Sequence, residues 1–113
     1  MADHRRVRIT IINSARKHGI TDEEIRNVVS FPMARYRIRS RRDPTARVFR
    51  ILGAEDHGPV IEVIAEELGD EMQVFHAMLL TGAIAKEARA EAYGLENFRG
   101  RVVNIQRRHE GGS

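Results

Sequence analysis

The stretch ARVFRILGAEDHGPVIEVIAEELGDEMQVFHAMLL, residues 46 to 80, decides the fold. It holds two apolar runs of strand length, Ala46 to Ala54 and Pro59 to Glu66, split by Glu55-Asp56-His57-Gly58 with a glycine where a hairpin needs one. Leu68-Gly69-Asp70 then turns the chain into a third run, Glu71 to Leu80. The simplest reading is a meander of three antiparallel strands. Along the second run, Pro59, Ile61, Val63 and Ala65 share one face and Val60, Glu62, Ile64 and Glu66 the other. Along the third, Gln73, Phe75, Ala77 and Leu79 alternate with Met72, Val74, His76 and Met78, and both faces are mostly apolar. That run therefore belongs in the interior of a sheet.

Outward from the meander, Thr81 reads as the N-cap of a helix from Gly82 to Tyr93 that Gly94 ends. Ile84, Ala88 and Leu95 fall on one side of it and Lys86 and Arg89 on its solvent side. Upstream, Arg6 to Ile12 is β-branched and weakly alternating, which predicts a first strand. Asn13 or Ser14 is placed to cap a short helical turn that stops at His18-Gly19. A second helix starts with Thr21 three residues before Glu24, the capping-box spacing, and Asp22, Glu23 and Glu24 favour the positive end of its dipole. Ile25, Val28 and Val29 give it one apolar face, and Phe31-Pro32 stops it. From Ala34 the period changes to two: Ala34, Tyr36 and Ile38 face one way, Arg35, Arg37 and Arg39 the other. Such an arginine ladder repels itself unless acids or an anion lie opposite. Asp43-Pro44 turns the chain back into the meander.

The chain of 113 residues supports one domain, with residues 1 to 95 as its body and 96 to 113 as a basic tail in which Val102, Val103 and Ile105 form a short apolar run. The closing Gly111-Gly112-Ser113 is left out of the fold. There is no cysteine, which excludes disulfides and thiolate metal sites. No apolar run approaches the roughly 20 residues that span a bilayer, and the apolar segment after the basic N-terminus is too short for a signal peptide, so a cytoplasmic location is expected. His4, His18, His57, His76 and His109 lie far apart and show no metal-ligand spacing, so neither metal nor other cofactor is expected. The net charge of +3 conceals a basic first part, an acidic centre between Ile51 and Asn97 and a basic end. Internal ion pairing and a nucleic-acid surface both account for that layout.

The run Ser14-Ala15-Arg16-Lys17-His18-Gly19-Ile20-Thr21-Asp22-Glu23-Glu24-Ile25 resembles the opening of BrnT-type toxins, in which a Lys-His-Gly turn leads into a helix that begins with acids. Phe31-Pro32, Leu52-Gly53, Gly58 and Gly69-Asp70 follow in a similar order, so the resemblance covers about Val7 to Glu91. It implies an α+β fold of the RelE kind: a small antiparallel sheet of four to five strands, two N-terminal helical segments, and one helix after the last strand. It also implies the toxin of a type II toxin-antitoxin pair, a metal-independent ribonuclease acting on mRNA. The implied partners are RNA and a cognate antitoxin, with a homodimer or a toxin-antitoxin heterocomplex as the assembly and no membrane. Members of that family usually carry Ser-Ala-Arg late on the last strand, and here His76-Ala77-Met78 stands in its place.

Metal-free RNA cleavage needs a base for the 2′-hydroxyl, cations for the charged phosphorane and an acid for the leaving oxygen. His76 is the first candidate for acid or base and His18 the second; a backbone-bonded histidine and a plain turn residue are their ordinary alternatives. Arg35, Arg37, Arg39, Arg47 and Arg50 are the phosphate candidates, and the odd spacing of Arg47 and Arg50 forbids them a shared strand face. Arg50 is preferred because Arg47 shares its face with Phe49 and Ile51, which read as core, while the resemblance favours Arg47. Glu62 is placed to act as base or to orient an arginine. Lys17, His18, Arg35, Arg37, Arg39, Lys86 and Arg89 are candidates for RNA contact, each of which is otherwise an ordinary solvated charge. The alternative function is a catalytically inactive toxin-like module that binds nucleic acid or an acidic protein.

Overall fold

The computed structural model describes residues 7–91. Five strands form one sheet: β1 (Arg8–Ile11), β2 (Ala34–Ile38), β3 (Val48–Gly53), β4 (Ile61–Leu68) and β5 (Glu71–Leu79). Their spatial order is β1-β5-β4-β3-β2. The meander β3-β4-β5 is antiparallel as expected, and β2 joins it antiparallel to β3 at the edge. The wholly antiparallel sheet is corrected, because β1 runs parallel to β5, with Arg8 opposite Glu71 and Ile11 opposite Val74. A parallel neighbour needs a long crossover. Here the whole segment from the first turn through β4 lies between the two strands. The fold is thus α+β with a mixed, open sheet.

Helix α1 (Asp22–Ser30) begins on the capping box: the Thr21 hydroxyl accepts from the Glu24 N–H, and the Glu24 carboxylate accepts from the Thr21 N–H. Ile25 and Val28 point from it into a core made with Ile11, Phe49, Ile51, Ile61, Val63, Ala65, Met72, Val74 and Ala77. Gly53 permits that closeness, since a Cβ there would stand 3.3 Å from the Cα of Val28. Before α1 a 3₁₀ turn covers Asn13–Arg16 without a side-chain cap; Ser14 instead donates to the carbonyl of Phe75 at 2.7 Å. Helix α2 (Gly82–Glu91) covers one end of the opposite face, where Ala85 and Ala88 bury against Ala34, Leu52, Val60 and Leu80. Ala92 to Gly94, Leu95 and the basic tail lie outside the described residues, as do Met1 to Arg6.

Two local expectations change. In the β3–β4 loop the left-handed residue is His57, at φ 61°, rather than Gly58. On β5 the strict alternation fails at a β-bulge: Ala65 pairs with Val74 but Ile64 pairs with His76, which leaves Phe75 as the extra residue. The bulge inverts the parity of the strand. Met72, Val74 and Ala77 therefore share the α1 face, while Gln73, His76 and Met78 take the other.

Candidate functional site

Strands β3, β4 and β5 set Arg50, Ile64 and His76 side by side across the sheet. On that same face Glu62, one step along β4, is 3% exposed. Its Oε2 accepts from Nε of Arg50 at 2.9 Å, and its Oε1 lies 3.9 Å from Nε2 of His76. Nη1 of Arg50 bonds Glu87 of α2, and the hydroxyl of Tyr36 on β2 donates to the same Glu87 oxygen at 2.6 Å. The turn ahead of α1 brings His18 beside His76, with ring centroids 5.8 Å apart and planes at 70°. Gly19, at φ 79°, takes the left-handed turn that carries the chain from His18 into α1.

The electrostatics assign roles. Burial holds the His76 pKa below its ordinary 6.5, with His18, Arg50 and Lys17 adding to the effect and Glu62 opposing it, so the imidazole is neutral near pH 7. A neutral imidazole can take a proton. Burial acts to lower the Arg50 pKa, but hydrogen bonds with Tyr36 and Glu62 overcome it and keep the guanidinium charged. Burial and then Glu87 raise the Tyr36 phenol far above its usual range, so it stays a donor. Groups that hold and move protons thus meet on one half-open sheet face.

Of the residues the sequence singled out, His76, Arg50, Glu62 and His18 converge here, and Lys17 is near enough for its charge to act on His76. Arg47 does not join them. It lies on the α1 face, paired with Glu67 and set over the ring of Phe49. Arg35 shares both partners, and Arg37 donates to the Ala46 carbonyl at 3.3 Å. The acid that relieves the ladder is therefore Glu67, whose carboxyl pKa is lowered chiefly by its hydrogen bond to Arg47. Arg39 and Lys86 are exposed and Arg89 half-buried, all without a partner among the described residues.

Sequence reading missed Tyr36 and Glu87 as site residues. Tyr36 carried a signal, since it shares strand parity with Ala34. Glu87 carried one too: it lies three residues after Ile84 and beside Ala88, so an acid interrupts the side of α2 that packs on the sheet. Comparison with known proteins gave no match to a family model, to a curated protein or to a solved structure.

Proposed function

We propose that this chain is a metal-independent ribonuclease that acts as the toxin of a type II pair, akin to the BrnT-type proteins its sequence resembles. The convergence of His76, Glu62, Arg50 and His18 carries the reading. Neutral His76 takes the proton of a 2′-hydroxyl, whose oxygen attacks the adjacent phosphorus. His18, exposed at its turn, gives a proton to the departing 5′-oxygen, and a 2′,3′-cyclic phosphate is left behind. Glu62 holds Arg50 in place and supports the imidazolium that forms on His76. The guanidinium donors not engaged by Glu62, Glu87 and Tyr36 are available to phosphate oxygens. RNA is the substrate and an antitoxin the restraining partner in this reading.

Purified protein incubated with RNA in EDTA tests it. Cleavage that yields cyclic-phosphate ends and is lost on His76→Ala, with the variant folded, is the expected result. Intact RNA of every sequence tried, with the parent folded, would reject the reading.

A second reading has its own support. Arg50 is already bound by two carboxylates, while Arg39, Arg41 and Arg42 stand exposed without a partner among the described residues. That distribution suits a module that binds a phosphate backbone without cutting it. Binding would then fall steeply with salt while the RNA stays whole.

A further inference from the structure

Helix α2 covers only one end of its sheet face, and beyond the His76 cluster the same face opens into a groove of about 610 Å³. That size is within the range of small-ligand sites. Val48, Glu66 and Gln73, neighbours on β3, β4 and β5, form its floor. Ile12 and Phe75 line the side toward β1, and Arg42 stands on the loop opposite.

Three features of this groove are unusual for a plain surface. First, Phe75 is the extra residue of the bulge, so it and His76 emerge consecutively on one face. An aromatic ring is thereby set half-buried beside the proposed base, and the Ser14 bond to the Phe75 carbonyl anchors the backbone that bears it. Second, the side chains of Glu66, Gln73 and Arg42 have no hydrogen-bond or ion-pair partner among the described residues, although Glu66 and Gln73 are half-buried. Third, the loop that bears Arg42 is fixed: Ser40 accepts from the Asp43 N–H, Asp43 accepts from both donors of Thr45, and Ala46 bonds back to the Asp43 carbonyl. An apolar plate, an acceptor-only carboxylate, an amide and a cation surround one cleft.

We infer that this groove takes one nucleobase of the RNA, guanine in preference to the others, next to the phosphate that His76 addresses; the inference rests on the ribonuclease reading. Phe75 supplies the stacking surface. A carboxylate accepts and cannot donate. Guanine alone offers two adjacent N–H donors, N1–H and the 2-amino group, on its Watson–Crick edge, which suits the two oxygens of Glu66. Uracil sets carbonyls beside its single N–H and is repelled. Arg42 meets the neighbouring phosphate. Ile64, level with His76, and Glu66 are two residues apart on β4, about 7 Å along the strand. That interval suits a base next to the scissile phosphate.

Binding of short 2′-O-methyl RNAs that carry G, A, C or U at one position tests the groove without any cleavage. The full chain should bind the G oligomer best and the U oligomer worst. Glu66→Gln should abolish the ranking, with affinity for the G oligomer falling to that of the A and C oligomers. Phe75→Ala should weaken all four about tenfold, and Phe75→Trp should restore them. Equal affinity for the four bases, no measurable binding of any, or a ranking that survives Glu66→Gln would overturn the inference. A parent that ranks the bases yet never cuts unmodified RNA would sink the ribonuclease reading and leave the groove standing. Cleavage indifferent to base and to Glu66→Gln would do the reverse.

Discussion

Oε1 of Glu62 lies 3.9 Å from Nε2 of His76, a buried carboxylate beside a half-buried imidazole. The same carboxylate binds Arg50 through its other oxygen. Glu62 thus ties a cation to a titrating imidazole, and its removal affects both.

Glu62→Ala should cost about 3 kcal/mol of folding stability, because it leaves the poorly exposed Arg50 with Glu87 as its remaining carboxylate. Glu62→Gln, which keeps an acceptor, should cost less than half as much. Urea denaturation of the three proteins would show this. A loss below about 1 kcal/mol for the alanine variant would mean that the pair contributes little to stability.

His76 gives stability a pH dependence of known sign. Its folded pKa is below the unfolded value of 6.5, so the contribution is complete above that pH and is lost as pH falls through the folded value. His76→Gln should flatten this part of the profile. Below it, the depressed carboxylates of Asp22, Asp43 and Glu67 bring a second, more acidic loss. Imidazole titration by NMR supplies the direct check, and Glu62→Gln should lower the His76 pKa further. An upward move would contradict the charge assignment.

The bulge depends on a bond far from it in sequence. Ser14→Ala removes the donor to the Phe75 carbonyl and should cost about 1 kcal/mol. Hydrogen exchange should quicken at the amides around Phe75 and remain unchanged in β3. Equal acceleration across the whole sheet would show that the bond supports global stability instead of the bulge.

Thr21→Ala should cost about 1 kcal/mol, since it breaks the side-chain bond to the Glu24 N–H at the start of α1. Thr21→Ser should restore most of it. Thermal unfolding compares the three, and indistinguishable midpoints would deny the cap a role.

That cap was readable because its parts are three residues apart, and so were the meander and the end of α1 at Phe31-Pro32. Each is written in local spacing. The opposition of Arg47 and Arg50 followed from parity alone, and the structure places them on opposite faces of the sheet. The bulge was not readable: Phe75 continues the pattern of β5, and only pairing with β4 shows that Ala65 and Ile64 skip it. Nor was the direction of β1, which depends on a partner strand across the length of the domain. Glu87 reaches Arg50 over 37 positions and Tyr36 over 51, so their meeting belongs to the packing of α2 rather than to any motif.

The parallel seat of β1 on β5 also sets a timetable. Ser14 meets Phe75 across 61 positions, and His18 reaches His76 through the same closure. Contacts so distant along the chain form slowly, because a long loop must close before any bond rewards it. On the ribosome the N-terminal segment emerges first, yet it cannot dock until β5 has followed it out. The two histidines therefore remain apart throughout synthesis of the meander, and whatever chemistry they share starts only once β5 is free to pair.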